Sequence, residues 1–241
     1  MIYDSFTTDA KKIALLIDPD KYSVDNLTLI SRLAESLQVD YIFVGGSILL
    51  SNIEHTIKYI QAYFQGPVIL FPGHANQVTN NADGILFLSL ISGRNAEFLI
   101  GNQVISAPRI KQIGLEVIPT GYILIDCGCT TSVEYMSNTR PIPATKSDIV
   151  IATAMAGEML GLKSLYLEGG SGAQTTIPTE IIEKVKKTCS IPIIVGGGIR
   201  TPEKLKEIYT SGADIAVIGN AIEDNQNLLQ ELVAVRNSFN N

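Results

Sequence analysis

Eight short apolar runs, most of them separated by stretches of helical pattern, leave this chain few folds. They are 13–18, 41–44, 68–71, 85–88, 121–126, 164–168, 191–195 and 215–218. Their near-continuous hydrophobicity suits strands covered on both faces, as in a parallel sheet, because a strand with one wet face would alternate. Between them, 24–37 sets Leu27, Ile30, Leu33, Ala34 and Leu37 at helical spacing. Residues 148–160 are apolar nearly throughout, with Ser147 or Asp148 as N-cap. Thr201 is expected to cap a helix with Pro202 at its first position, and 224–237 reads as the final helix. The alternation predicts one domain over 1–241, a closed (β/α)₈ (TIM) barrel of the α/β class rather than an open doubly wound sheet. The length of 241 residues matches one such domain of roughly 250. Segment 89–120 fits less well, since Gly93, Gly101, Pro108, Gly114 and Pro119 interrupt its helical pattern. A short or irregular connection is expected there, forming part of a substrate channel.

The last three strands each run into a glycine turn: Gly169-Gly170-Ser171-Gly172, Gly196-Gly197-Gly198 and Gly219-Asn220. Glycine lets backbone N–H groups approach an anion closely, and a following helix N-terminus adds partial positive charge. In a barrel of this kind a phosphate is held by the last loops of the C-terminal face. Three such turns after strands 6, 7 and 8 therefore predict one phosphate cup.

The other strand ends at that face carry two notable carboxylates. Asp18 closes the first strand ahead of Pro19, either as a ligand for a hard cation such as Mg²⁺ or as a turn residue. Ser47, after Gly45-Gly46, is either a second oxygen ligand or the cap of the next helix. Glu168 stands directly before the first glycine turn, where a carboxylate beside a phosphate is electrostatically costly. It is either a base that takes a substrate proton or a salt-bridge partner of Arg200 or a lysine. Tyr166 lies two residues earlier, so it shares the inward face with Glu168 and is either a substrate contact or barrel filling. His74 reads as a diphosphate contact or a helix-start residue; Lys21 and Arg94 are candidate diphosphate neighbours or solvated surface, and Asp126 a turn residue or site carboxylate.

A net charge of −6 without basic runs excludes nucleic acid as the main partner, while backbone N–H groups still serve phosphates locally. Residues 1–6 lack a signal-peptide pattern, and no apolar run reaches the roughly 18 residues of a membrane span, so a cytoplasmic protein is expected. A lipid substrate is then met from the aqueous side. Cys127, Cys129 and Cys189 are an odd set without zinc-type spacing and are expected to be free thiols.

The set Ile17-Asp18-Pro19-Asp20-Lys21, Val44-Gly45-Gly46-Ser47, Phe71-Pro72-Gly73, Tyr166 to Ala173, Val195 to Arg200 and Gly219-Asn220 resembles the geranylgeranylglyceryl phosphate synthases and their heptaprenyl relatives. Tyr-Leu-Glu-Gly-Gly-Ser-Gly is its most specific part, and the likeness runs from about Ile13 to the final helix. The resemblance implies transfer of a prenyl group from a polyprenyl diphosphate to the C3 hydroxyl of sn-glycerol 1-phosphate. It implies Mg²⁺ on Asp18 and Ser47, and Glu168 as base beside Tyr166. Glycerol 1-phosphate would be held by Tyr166, Leu167, Glu168, Gly169, Gly170, Ser171, Gly172, Gly197, Gly198, Gly219 and Asn220. The heptaprenyl branch carries a lysine two residues before the metal aspartate, where this chain has Leu16. That implies the branch holding most archaeal enzymes, geranylgeranyl diphosphate as donor, and a homo-oligomer, dimer or hexamer. Transient membrane contact for product release is also expected. The prenyl tail is expected in a groove from 87–99 and 117–123, under a mobile flap at Ile118-Pro119-Thr120-Gly121-Tyr122. Two other readings fit the cup alone: another phosphate-handling barrel enzyme, or a non-catalytic prenyl or phosphate binder.

Overall fold

The computed structural model describes residues 1–225 and 227–241. Parallel strands β1 (Lys12–Ile17), β2 (Tyr41–Val44), β3 (Val68–Leu70), β4 (Gly84–Leu90), β5 (Glu116–Asp126), β6 (Ser164–Glu168), β7 (Ile193–Gly196) and β8 (Ile215–Ile218) pair in sequence order. Pairing of β8 with β1 (Ile215 opposite Lys12) closes the barrel. The helices are α1 (Ile2–Phe6), α2 (Val24–Ser36), α3 (Ile53–Gln61), α4 (Asn102–Ile113), α5 (Ser132–Ser137), α6 (Ser147–Met159), α7 (Thr179–Thr188), α8 (Pro202–Thr210), α9 (Asn220–Asp224) and α10 (Asn227–Asn240). A two-residue strand, Ile142–Pro143, pairs with the end of β5 outside the barrel.

The apolar runs are continuous because the two faces of each strand fill different cores. Ile13, Leu15, Ile17, Leu165 and Leu167 point outward against the helices. Ala14, Phe43, Ile69, Leu86, Tyr122, Tyr166 and Ile194 fill the interior, following the two-residue period. Phe6 of α1 plugs the N-terminal end, packing on Tyr41 at 5.0 Å between ring centroids. The Ile2 and Tyr3 N–H groups, otherwise unpaired at the start of α1, donate to the Glu116 carboxylate at 2.7 and 2.8 Å.

One device recurs at that end. Asp40, Asp83 and Asp214 each stand one residue before a strand, and each accepts the N–H near the start of a neighbouring strand: Ile13 (2.9 Å), Val68 (2.8 Å) and Ile193 (2.8 Å). Asp40 also pairs with Arg236 of α10, and Asp214 with Lys186 of α7. Strand register and helix position are thereby set by the same carboxylates.

The structure corrects several expectations. Segment 89–120 is largely regular: β4 extends to Leu90, and a π-helical turn (Glu97–Gly101) feeds the 12-residue α4. Pro108 is tolerated inside α4 because the backbone bond it forgoes would go to Val104, on the helix's exposed side. The stretch expected as a flap, 118–122, is the middle of β5, with Ile118 and Tyr122 buried, so it does not move as a lid. Neither Ser147 nor Asp148 caps α6; Lys146 holds the N-cap position, and Ser147 Oγ instead accepts from Lys184. The expected final helix 224–237 is divided between the end of α9 and α10, and Gln226 within it lies outside the described residues. Thr201 does cap α8, accepting from the Lys204 N–H. Among the described residues no helix is long and apolar enough to cross a membrane.

Replacing Arg236 with methionine strands the largely buried Asp40 carboxylate. The expected loss is about 3 kcal/mol of unfolding free energy, read from urea denaturation at neutral pH. A loss below about 0.5 kcal/mol would place Asp40–Arg236 among the weak surface pairs.

Candidate active site

A cavity of about 840 Å³ opens at the C-terminal ends of the strands. One arm is polar, built from the ends of β1, β2, β6, β7 and β8; the other is apolar, lined by Val78, Ile85, Phe87, Leu88, Leu90 and Phe98.

Glu168 sits between them, at the end of β6, only 6% exposed. Burial raises its pKa above the ordinary glutamate value. The Gly170 N–H, 2.5 Å from Oε1, and the hydroxyls of Tyr166 and Tyr122 nearby oppose that rise. No ion pair forms with Glu168 among the described residues, so Arg200 does not neutralise it. Tyr166 is fully buried, stacked on Phe71 (5.1 Å) and on Tyr122 (5.2 Å). Its buried hydroxyl lies beside the Glu168 carboxylate, at the cavity wall.

The glycine turns converge as one cup. Gly170, Ser171, Gly172, Gly197, Gly198, Gly219 and Asn220 all line the polar arm. Gly169 lies behind this surface, its N–H given to Gly196 O at 2.9 Å, and it ties the first turn to the second. The Leu167 side chain points the other way, into the core between barrel and helices, so only its backbone belongs to the site. Asn220 Nδ2 donates to Ser171 Oγ and its Oδ1 accepts from Lys21, both at 3.0 Å, which links the first and last turns across the cup. Gly197 has φ +92°, and a Cβ there would lie 2.8 Å from the Gly170 nitrogen.

At the opposite rim, Asp18 and Ser47 both line the cavity. Asp18 Oδ1 accepts the Asp20 N–H at 3.1 Å, and burial raises the carboxyl's pKa. Ser47 does not cap α3, because Asn52 does so through the Glu54 and His55 N–H groups. Among the described residues no three His, Cys, Asp or Glu converge to hold a metal. One carboxylate and one hydroxyl fit a Mg²⁺ that keeps waters and takes its other ligands from substrate phosphates.

His74 lines the rim and starts the Ala75–Gln77 turn. Arg94 is not in the cavity; its guanidinium is held by the Gly93 and Ile91 carbonyls. Asp126 is likewise outside, exposed and accepting the Gly128 N–H in a tight turn. Cys127, Cys129 and Cys189 form no disulfide, and burial pushes the Cys127 thiol up to about 12. The sequence reading missed Gln103, Ser106, Val133, Tyr135 and Met136 in the cavity wall. They lie on α4 and α5, whose helical patterns are broken or short. Gln103 is buried with Nε2 on the Leu88 carbonyl and Oε1 unpartnered, a polar group within the apolar arm.

A Gly197→Ala substitution both forces an unfavourable φ and pushes a methyl against Gly170. Inorganic phosphate affinity, measured by calorimetry, is expected to fall at least about tenfold; unchanged affinity would remove these turns from the anion site.

The PcrB family matches residues 7–236. A geranylgeranylglyceryl phosphate synthase of Chitinophaga pinensis is 48% identical over 96% of this chain and 94% of its own length. That of Pyrococcus furiosus is 41% identical over 87% and 83%. The crystal structure of (S)-3-O-geranylgeranylglyceryl phosphate synthase from Thermoplasma acidophilum, in complex with sn-glycerol-1-phosphate, superposes with a TM-score of 0.93 at 31% identity, covering 99% and 98% of the two chains. With its barrel, cup and buried Glu168, the chain belongs to the PcrB family, alongside these synthases.

Proposed function

We propose that the protein joins the geranylgeranyl group of geranylgeranyl diphosphate to the C3 hydroxyl of sn-glycerol 1-phosphate, releasing diphosphate. The observation that carries this reading is a buried carboxylate at the junction of a glycine cup and an apolar arm within one cavity. Its relatives' names and the glycerol-phosphate complex of the Thermoplasma structure support it.

The cup binds the phosphate of glycerol 1-phosphate through backbone N–H groups of the three turns, and Ser171 and Asn220 border it. This turns the free C3 hydroxyl toward Glu168. The apolar arm takes the prenyl chain and so brings C1 of the donor to the same point. Such positioning contributes roughly 7–11 kcal/mol in favourable systems. The C1–O bond to diphosphate breaks with its electron pair leaving on the diphosphate. The C3 oxygen bonds to C1, and its proton passes to Glu168. The raised pKa of Glu168 makes it a stronger base than an exposed glutamate. Tyr166, its hydroxyl beside Glu168, borders the acceptor and helps orient it. Asp18 and Ser47 would hold Mg²⁺, which when bound supplies charge neutralisation for the leaving diphosphate. Leu16 lines the cavity where a lysine would add a phosphate contact, so anion binding here leans on backbone groups.

The same reading has the chain work as a homo-oligomer, dimer or hexamer, and touch a membrane surface transiently to release its amphiphilic product. The exposed Ile149, Met159 and Leu160 on and just after α6 support assembly. Light scattering of the purified protein distinguishes the states.

Incubation with labelled sn-glycerol 1-phosphate, Mg²⁺ and a ladder of prenyl diphosphates is expected to give ether product with a twenty-carbon preference; no product from any donor would defeat the reading. Glu168→Gln is expected to lower kcat by about 10²–10⁴ while leaving glycerol-phosphate affinity within about twofold. In the wild type, kcat should rise with pH through a carboxyl above the ordinary glutamate range. The folded state binds that proton more tightly than the unfolded chain. Its stabilising contribution is therefore full below the ordinary pKa and is lost as pH rises through the raised one. Glu168→Gln should accordingly melt higher than wild type at neutral pH, and an equal or lower Tm would contradict the burial cost.

A further inference from the structure

Between β3 and β4 the barrel has no α-helix; a single 3₁₀ turn, Ala75–Gln77, stands in its place. That turn sends one residue inward. Gln77 is 5% exposed, and both ends of its amide are used. Nε2 donates to the Gly46 carbonyl at 2.8 Å, and Oε1 accepts the Gly73 N–H at 3.0 Å. One side chain therefore bridges the loops that leave two adjacent strands, β2 and β3.

Those loops press on each other. A Cβ at Gly73 would lie 2.4 Å from the Gly46 oxygen and 2.9 Å from the Ser47 Cα, and a Cβ at Gly45 only 1.9 Å from the Phe71 oxygen. The Gly45 N–H continues the ladder to Ile17, the residue before Asp18. A Cβ at Gly46 would lie 3.2 Å from Asp18 Oδ1. The Gln77 amide, the two loops, the Asp18 carboxylate and Ser47 are thus one contiguous wall. Gln77 does not itself line the cavity, whereas Asp18, Gly46, Ser47 and Gly73 do.

We propose that Gln77 is a positioning residue for the diphosphate half of the site: by bridging Gly46 and Gly73 it holds Asp18 and Ser47 at the separation that a diphosphate with its divalent cation requires. The inference rests on the transferase reading above. It predicts a split, because the glycine cup is formed by β6, β7 and β8 and shares no hydrogen bond with Gln77.

The test compares wild type with Gln77→Leu and Gln77→Glu. Leucine removes both hydrogen bonds at similar volume; glutamate keeps an acceptor for Gly73 but sets an oxygen against the Gly46 carbonyl. Calorimetry reads the affinity for inorganic pyrophosphate with Mg²⁺ and, separately, for sn-glycerol 1-phosphate; steady-state kinetics reads KM for each substrate. Expected in both variants is a fall of about tenfold or more in pyrophosphate affinity and a rise of about tenfold or more in donor KM. Glycerol-phosphate affinity and KM should stay within about twofold. Unchanged pyrophosphate affinity in a folded variant overturns the positioning role, as does an equal decline of both ligands, which marks a general structural effect. If leucine prevents folding, the glutamate variant alone decides by the same split. A wild type that binds glycerol phosphate but no Mg²⁺-pyrophosphate defeats the transferase reading itself, and the positioning role with it.

Discussion

Glu168 is held inside the barrel mouth with no ion pair among the described residues, and the surrounding structure is arranged to make that tolerable. A carboxylate removed from water raises its pKa or finds hydrogen bonds. Here the Gly170 N–H supplies a short bond, and the phenols of Tyr122 and Tyr166 border the carboxylate from below. Those phenols are fixed in turn by their stack with Phe71, at ring separations of 5.1, 5.2 and 6.1 Å. The interior packing of the barrel is therefore also the floor of the site. Phe71, Tyr122 and Tyr166 belong to the inner core and to the cavity wall at once.

The two polar sides of the cavity are built from different materials. The cup uses backbone on β6, β7 and β8, which needs no net positive charge and so suits a chain of net charge −6. The opposite rim uses side chains: the Asp18 carboxylate lies against Gly46, and Ser47 stands on a loop whose backbone touches the loop after β3. Backbone donors are fixed once the turn is fixed. Side chains on loops need those loops held, and with no α-helix between β3 and β4 that task falls to short-range contacts within the turn.

Much of this was legible because local signals and tertiary demands agree. The strands 41–44, 164–168 and 215–218 were read at their observed ends, since each is a β-branched or aromatic run bounded by turn residues or polar flanks. The glycine turns announced the cup for the same reason. What escaped reading depends on context. The start of β5, with Pro119 and Gly121, has poor strand propensity and is held by seven register partners on β4. Helix α4 breaks the periodic pattern at Pro108, and with it went Gln103 and Ser106. Leu167 and Gly169 sit inside the most specific motif, yet the two-residue strand period and a backbone bond turn them away from the cavity. A motif marks a segment; the pleat decides which of its residues reach the site.

The opposite end of the barrel shows why a strained mouth can persist. Asp40, Asp83 and Asp214 each precede a strand and clamp the start of a neighbour, and two of them also hold a helix through Arg236 or Lys186. These bonds form where no ligand passes, so their geometry is free to serve register alone. At the C-terminal end, the corresponding positions are glycines, a buried carboxylate and buried phenols, groups that weaken a fold but leave donors and acceptors available. Stability concentrated at one end of the same eight strands lets chemistry occupy the other. That division follows from a closed parallel sheet, in which every strand starts at one rim and finishes at the other.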